Sequence, residues 1–151
     1  MKKLLLLLSL LLLTSCAKFS LYSEKINGFS DNRWAADDAK TFSFELTEDV
    51  EKAKLDLFFS YVFEPGYDKV PVKLYMIKEG EEQTLMPEVL LLKDEAGEDL
   101  GDCLGDVCDL TQTIVTQSFT KGKYTIKVVH EVNGPYLPNV IALGISLETT
   151  E

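Results

Sequence analysis

The chain has 151 residues, 46% of them hydrophobic and 26% charged, with 25 Asp and Glu against 15 Lys and Arg for a formal net charge of −10. That acidity argues against a nucleic-acid partner and against an electrostatic grip on anionic lipid. The length suits one domain with one core, and the lone histidine leaves no material for a Ser-His-Asp triad or a histidine-based metal cluster.

The N-terminus reads as a targeting segment. Lys2 and Lys3 precede an apolar run over residues 4–13, broken only by Ser9. A run of that length fits the core of a signal peptide and is too short to span a bilayer, which takes about 20 apolar residues. Leu13, Thr14, Ser15 and Cys16 follow, in an order that resembles the bacterial lipobox. Small residues fit the peptidase groove, and the Cys16 thiol takes the diacylglyceryl group before cleavage makes it the new N-terminus, with palmitate among the expected acyl groups. The expected division is residues 1–15 as lipoprotein signal peptide, 16–18 as acylated end and short tether, and 19–149 as the folded domain. Acyl chains would anchor the protein to a leaflet without its spanning the membrane. Ala17 stands where an aspartate would argue for the inner membrane, and Lys18, Phe19 and Ser20 form no acidic surface-export cluster. The expected location is the periplasmic face of the outer membrane.

The remainder reads as strands separated by turns. Residues 41–47 alternate strictly, with Phe42, Phe44 and Leu46 on one face. Residues 54–63 place Leu55, Leu57, Phe59 and Tyr61 on one face, and the Pro-Gly turn at 64–69 ends them. Residues 70–77 alternate again, 89–92 read as a short buried strand, and 112–119, 123–132 and 139–148 complete the set. A turn or two of helix is the reading for residues 47–53. Seven to nine short strands predict an all-β antiparallel sandwich or jelly roll, with a closed barrel as the alternative. Phe42, Phe44, Leu57, Phe59, Leu74, Val128, Ile141 and Leu143 are the expected core.

Cys103 and Cys108 lie in the Gly- and Asp-rich loop. Export to an oxidising compartment suits a local disulfide. Zinc would have to recruit the distant His130, the spacing is not that of a C-x-x-C redox pair, and free thiols are the remaining reading. The same stretch carries seven carboxylates between Asp94 and Asp109. Calcium is conceivable there, though the spacing is not that of a helix–loop–helix calcium loop. Neither a G-x-S-x-G, a phosphate loop nor an H-E-x-x-H occurs, so no catalytic residue, cofactor or metal ligand is assigned and a non-enzymatic role is expected. Trp34, Tyr61, Tyr67, Tyr75 and Tyr136 could line a glycan- or peptide-binding face, or could finish the core.

Trp34 ahead of Asp37 and Asp38, the Phe42–Phe44 strand, the strand through Leu55 and Tyr61, Tyr67, "KDEAGEDLGDCLGDVCD" over 93–109, "FTKGKYTIKVVHEV" over 119–132 and "LPNVIALGISLE" over 137–148 occur in that order. Taken together they resemble the gliding-motility lipoprotein GldH family over nearly all of the mature chain. The family's arginine after the second long strand is replaced by Ser60, Tyr61 and Val62, and its Met-Arg pair by His130 and Glu131. The resemblance implies an accessory lipoprotein that docks on an envelope assembly, the gliding and type IX secretion apparatus. The alternative is a lipid-anchored module that binds glycan or peptide.

Overall fold

The computed structural model describes residues 19–150; the expected signal peptide and the expected lipid-attachment residue Cys16 lie outside them. The described residues form β1 (Ser20–Asn27), β2 (Trp34–Ala35), β3 (Lys40–Leu46), β4 (Val50–Val62), β5 (Lys69–Lys78), β6 (Thr84–Leu91), β7 (Asp102–Leu104), β8 (Val107–Phe119), β9 (Gly122–His130), β10 (Tyr136–Leu137) and β11 (Val140–Thr149). One sheet has the order β1-β11-β4-β8-β7, the other β3-β9-β5-β6, and β10 pairs with β2 in a small ribbon. All pairings are antiparallel. Among the eight long strands each successive one crosses to the opposite sheet, except β6, which pairs with β5. That winding is a jelly roll, an open two-sheet sandwich and not a closed barrel.

Period-two alternation builds the core. Leu55, Leu57, Phe59 and Tyr61 of β4 and Leu143, Ile145 and Leu147 of β11 point inward, against Phe42, Val72, Leu74, Ile126 and Val128 of the facing sheet. Two expected core residues differ. Phe44 is half-buried because β3 is an edge strand; its ring closes the side of the sandwich, 4.8 Å from Tyr22 and stacked 5.2 Å from Tyr124. Ile141 is half-buried because the register shifts between Val140 and Ala142, so it falls in a bulge and leaves the alternation.

The expected helix over residues 47–53 is a turn followed by the start of β4, with Ala53 fully buried on the inner face. Helical spacing would have withdrawn that face from the core. The strand expected at 89–92 is the end of a longer one, β6, which begins at Thr84 and stops at Leu91, and it is not a buried strand: at the sheet edge it leaves Val89 and Leu91 exposed and tolerates Pro87.

Strand direction gives the sandwich two distinct ends. Ser20 lies level with Glu148 and Lys54, whereas Asn27, Ala142, Ser60 and Asp109 share a row near the other end, with Val62 and Val107 beyond them. From Lys54 to Val62 the separation is roughly 27 Å at about 3.4 Å per residue. The first end holds the entry of the chain, where Phe19 N–H donates to Thr149 Oγ1 (3.0 Å) and Thr149 N–H to Phe19 O (2.9 Å). The far end is capped by the β2–β10 ribbon, which buries Trp34 and Leu137 completely.

Candidate docking surface

The far end carries most of the residues singled out in the sequence. Cys103 on β7 and Cys108 on β8 are directly opposite each other, and their sulfurs are bonded at 1.99 Å with Cα atoms 4.0 Å apart. Gly105, at φ +62°, makes the two-residue turn possible. Cys108 is buried and so roots the hairpin in the sandwich, while Leu104 at its tip is 87% exposed. Phe63 N–H donates to Asp106 O at 2.9 Å, which ties the end of β4 to the turn. Val107, paired directly with Leu104, and Phe63, bonded to the turn through its backbone, are also exposed.

The acidic loop is held by its own short contacts. Asp94 Oδ1 accepts from Ala96 N–H (2.8 Å) and Glu98 N–H (2.9 Å), an Asx-type turn. Lys93 pairs with Asp99 at 2.8 Å, which holds the lysine pKa above its usual value, and Leu100 N–H donates to Leu92 O at 2.8 Å. Asp109 Oδ1 accepts from Ser60 Oγ at 2.6 Å. Among the described residues no three His, Cys, Asp or Glu side chains come together as a metal site.

His130 is a structural latch. Its Nε2 lies 3.0 Å from Trp34 O, Val132 N–H donates to Nδ1 at 3.3 Å, and its ring meets the Trp34 ring edge-on at 5.1 Å. The proposed aromatic face does not assemble. Trp34 and Tyr61 are inside the core, because the inward alternation of β4 and the end-capping ribbon claim them. Trp34 Nε1–H donates to Asp38 O at 2.7 Å. Tyr67 donates to Pro138 O at 2.8 Å, and Tyr136 lies under the Arg33 guanidinium. Tyr75 is on the four-stranded sheet, between Leu85 and Lys127.

A second feature was not legible in the sequence. The outer face of the five-stranded sheet has a groove of about 300 Å³ over Gly144, between Phe58 and Lys25. Lys25 Nζ stands 3.4 Å from the Phe58 ring centroid. Beside it Asp56, only 3% exposed, accepts from Lys54 Nζ (2.7 Å) and from Thr113 Oγ1 (2.7 Å). Lys54 also reaches Glu148 at 3.3 Å, and its pKa is raised chiefly by the bond to Asp56. Within the groove Lys54, Asp56 and Glu148 are spent on one another. Only the outward positions of β4, read as a polar row, could have suggested it. The signal for the hairpin was the pair of apolar residues flanking Gly-Asp in "CLGDVC".

No curated protein matches the chain. Among solved structures it is similar to a protein from Sulfurospirillum deleyianum (14% identity, TM-score 0.45, covering 86% of this chain and 98% of that one). It is also similar to the structure of the Aeromonas sobria serine protease with its chaperone ORF2 (10%, 0.39, 97% and 29%) and to dimeric latent PorU from Porphyromonas gingivalis (9%, 0.36, 91% and 14%). The chain spans under a third of each of the latter two, and at these scores none of the three bears on function. The GldH lipoprotein family profile, by contrast, matches residues 21–147, from β1 to the last inward residue of β11, and the chain belongs to the GldH lipoprotein family.

Proposed function

We propose that this protein is a non-enzymatic accessory lipoprotein, held by an acylated Cys16 at the periplasmic face of the outer membrane, whose sandwich docks on the gliding and type IX secretion apparatus. The observation that carries the reading is the opposition of two ends. Phe19, three residues after Cys16, enters at one end of the five-stranded sheet, while the exposed Leu104–Val107 hairpin stands at the other. A lipid tether would thus turn the hairpin away from the bilayer. Family membership supports the gliding assignment. The non-enzymatic reading is supported by the engagement of His130 with Trp34 and Val132.

Two measurements test the proposal. Mass spectrometry of the N-terminal peptide should find a diacylglyceryl-modified, amide-acylated Cys16; a free thiol there, or cleavage elsewhere, overturns the anchor. The native protein, purified from detergent-solubilised envelopes, should bring gliding or secretion components with it and leave a glycan array blank. Glycan binding at micromolar strength without a protein partner would favour the alternative module.

A further inference from the structure

We propose that the exposed tip of the β7–β8 hairpin, Leu104 with its paired neighbour Val107 and with Phe63 beside the turn, is the protein's docking surface, and that its partner is an envelope protein presenting an apolar socket rimmed by lysine and arginine. The inference rests on the anchored reading above for its orientation and on three features of the chain for its chemistry.

The first is the placement of apolar surface. Exposed single hydrophobic residues are ordinary, but Leu104 at 87% exposure is nearly bare and is held out on a two-residue turn. The second is the support beneath it. Hot spots at interfaces are rigid anchors seated in a partner's pocket, because immobilising a loose side chain or loop offsets the contact it makes. Here the Cys103–Cys108 bond closes the hairpin two residues from its turn, buried Cys108 roots it, and the Phe63 N–H to Asp106 O bond braces its side. The tip is ordered before any partner arrives.

The third is charge. Between Leu91 and Asp109 stand seven carboxylates and one lysine, and that lysine is paired with Asp99. Exposed Asp102 and Asp106 stand two residues to either side of Leu104. An acidic rim around an apolar knob excludes two occupants. A second copy of this chain would bring the same acidic rim against its own, and like charges across an interface oppose association. An anionic leaflet is disfavoured for the same reason. A socket with a basic rim meets both the knob and its surround, and steers the encounter as well.

The test uses the full-length lipoprotein in intact cells of its own host, with a photoreactive phenylalanine at position 104 or, as control, at Ser43, which is exposed on the outer face of the other sheet. Position 104 should give one heavier product and position 43 none, and peptide mapping should place the attachment among apolar residues flanked by lysine or arginine. Charge reversal by Asp102→Lys with Asp106→Lys, both on exposed positions, should lower the yield about tenfold, as expected for loss of one significant interfacial contribution. A product of twice the protein's own mass, a crosslink only to lipid, equal yields at both positions, attachment in an acidic segment, or a yield untouched by charge reversal each overturns the proposal. Cys16→Ala is run alongside: if that variant still sediments with membranes, the anchor reading fails by itself, and the yields at positions 104 and 43 continue to decide the docking surface.

Discussion

Gly101 lies against the phenol of Tyr61: a methyl group built on its Cα would stand 2.8 Å from Tyr61 Oη, 3.3 Å from Asp109 O and 3.5 Å from Cys108 Cβ. The acidic loop can therefore seat on the end of the core only with glycine at this position. Tyr61 is fully buried and has no room to retreat. Gly101→Ala is expected to destabilise the domain by about 1–3 kcal/mol, the usual cost of overpacking. Urea unfolding followed by tryptophan fluorescence would measure it, and a midpoint equal to wild type would show that the loop does not seat against the core.

Cys103→Ala with Cys108→Ala opens a short closed loop, for which chain entropy gives a cost of about 2 kcal/mol. The same loss should follow when the wild-type protein is unfolded in the presence of a reductant. Unchanged midpoints with and without reductant would mean that the two thiols are not joined in the protein as made.

The buried Asp56 carboxylate is expected to depend on Lys54 for most of its compensation. Lys54→Met strands the charge beside Thr113 and should cost about 3–5 kcal/mol, as for other broken buried pairs. Adding Asp56→Leu removes the stranded charge, so the double variant should be more stable than Lys54→Met. Chemical denaturation of the three proteins settles the order, and a double variant weaker than the single contradicts it.

Stability should fall on the alkaline side. Burial raises the pKa of Tyr22, Tyr61 and Tyr67 above the ordinary 10.0, with Glu24 adding to Tyr22 and Asp99 to Tyr61, while the bond to Asp56 raises Lys54 above 10.5. A group whose pKa is higher in the folded than in the unfolded state contributes stability in full below the unfolded value and loses it as pH climbs through the folded one. The urea midpoint should therefore decline from about pH 10 upward. Absorbance at 295 nm should show late tyrosine ionisation that coincides with unfolding, and Tyr67→Phe should lessen the decline. Complete phenol ionisation near pH 10 in the folded protein would contradict the expectation.

How far the fold was legible depended on which strands face the core on one side only. β3, β5 and β9 turn one apolar face to the core and their alternation is plain, while β4 and β11, buried on both faces over part of their length, still alternate in sequence on the inward side. β1 is an exposed edge with a mostly polar composition, so it carried no such signal, and the first half of β6 was masked by Pro87. At residues 47–53 the acidic, lysine-containing run suggested a helix, but Ala53 is needed on the inner face and long-range pairing prevailed over local propensity. Residue type likewise could not say that Trp34 and Tyr61 point inward, because amphipathic aromatics serve core and binding face alike. Leu104 was hidden in plain view: an apolar residue between acids reads as incidental until β7 and β8 pair and leave it at the tip.

The clasp between Phe19 and Thr149 has a mechanical consequence. A pull applied at the residue-19 end acts along the axis of β1, parallel to a strand joined to β11 at seven paired positions. Such a load shears the ladder: the rungs share the force and must give way together, whereas a pull across the strand would peel them one at a time. The sandwich is thus strung to bear tension between its point of entry and its far corner.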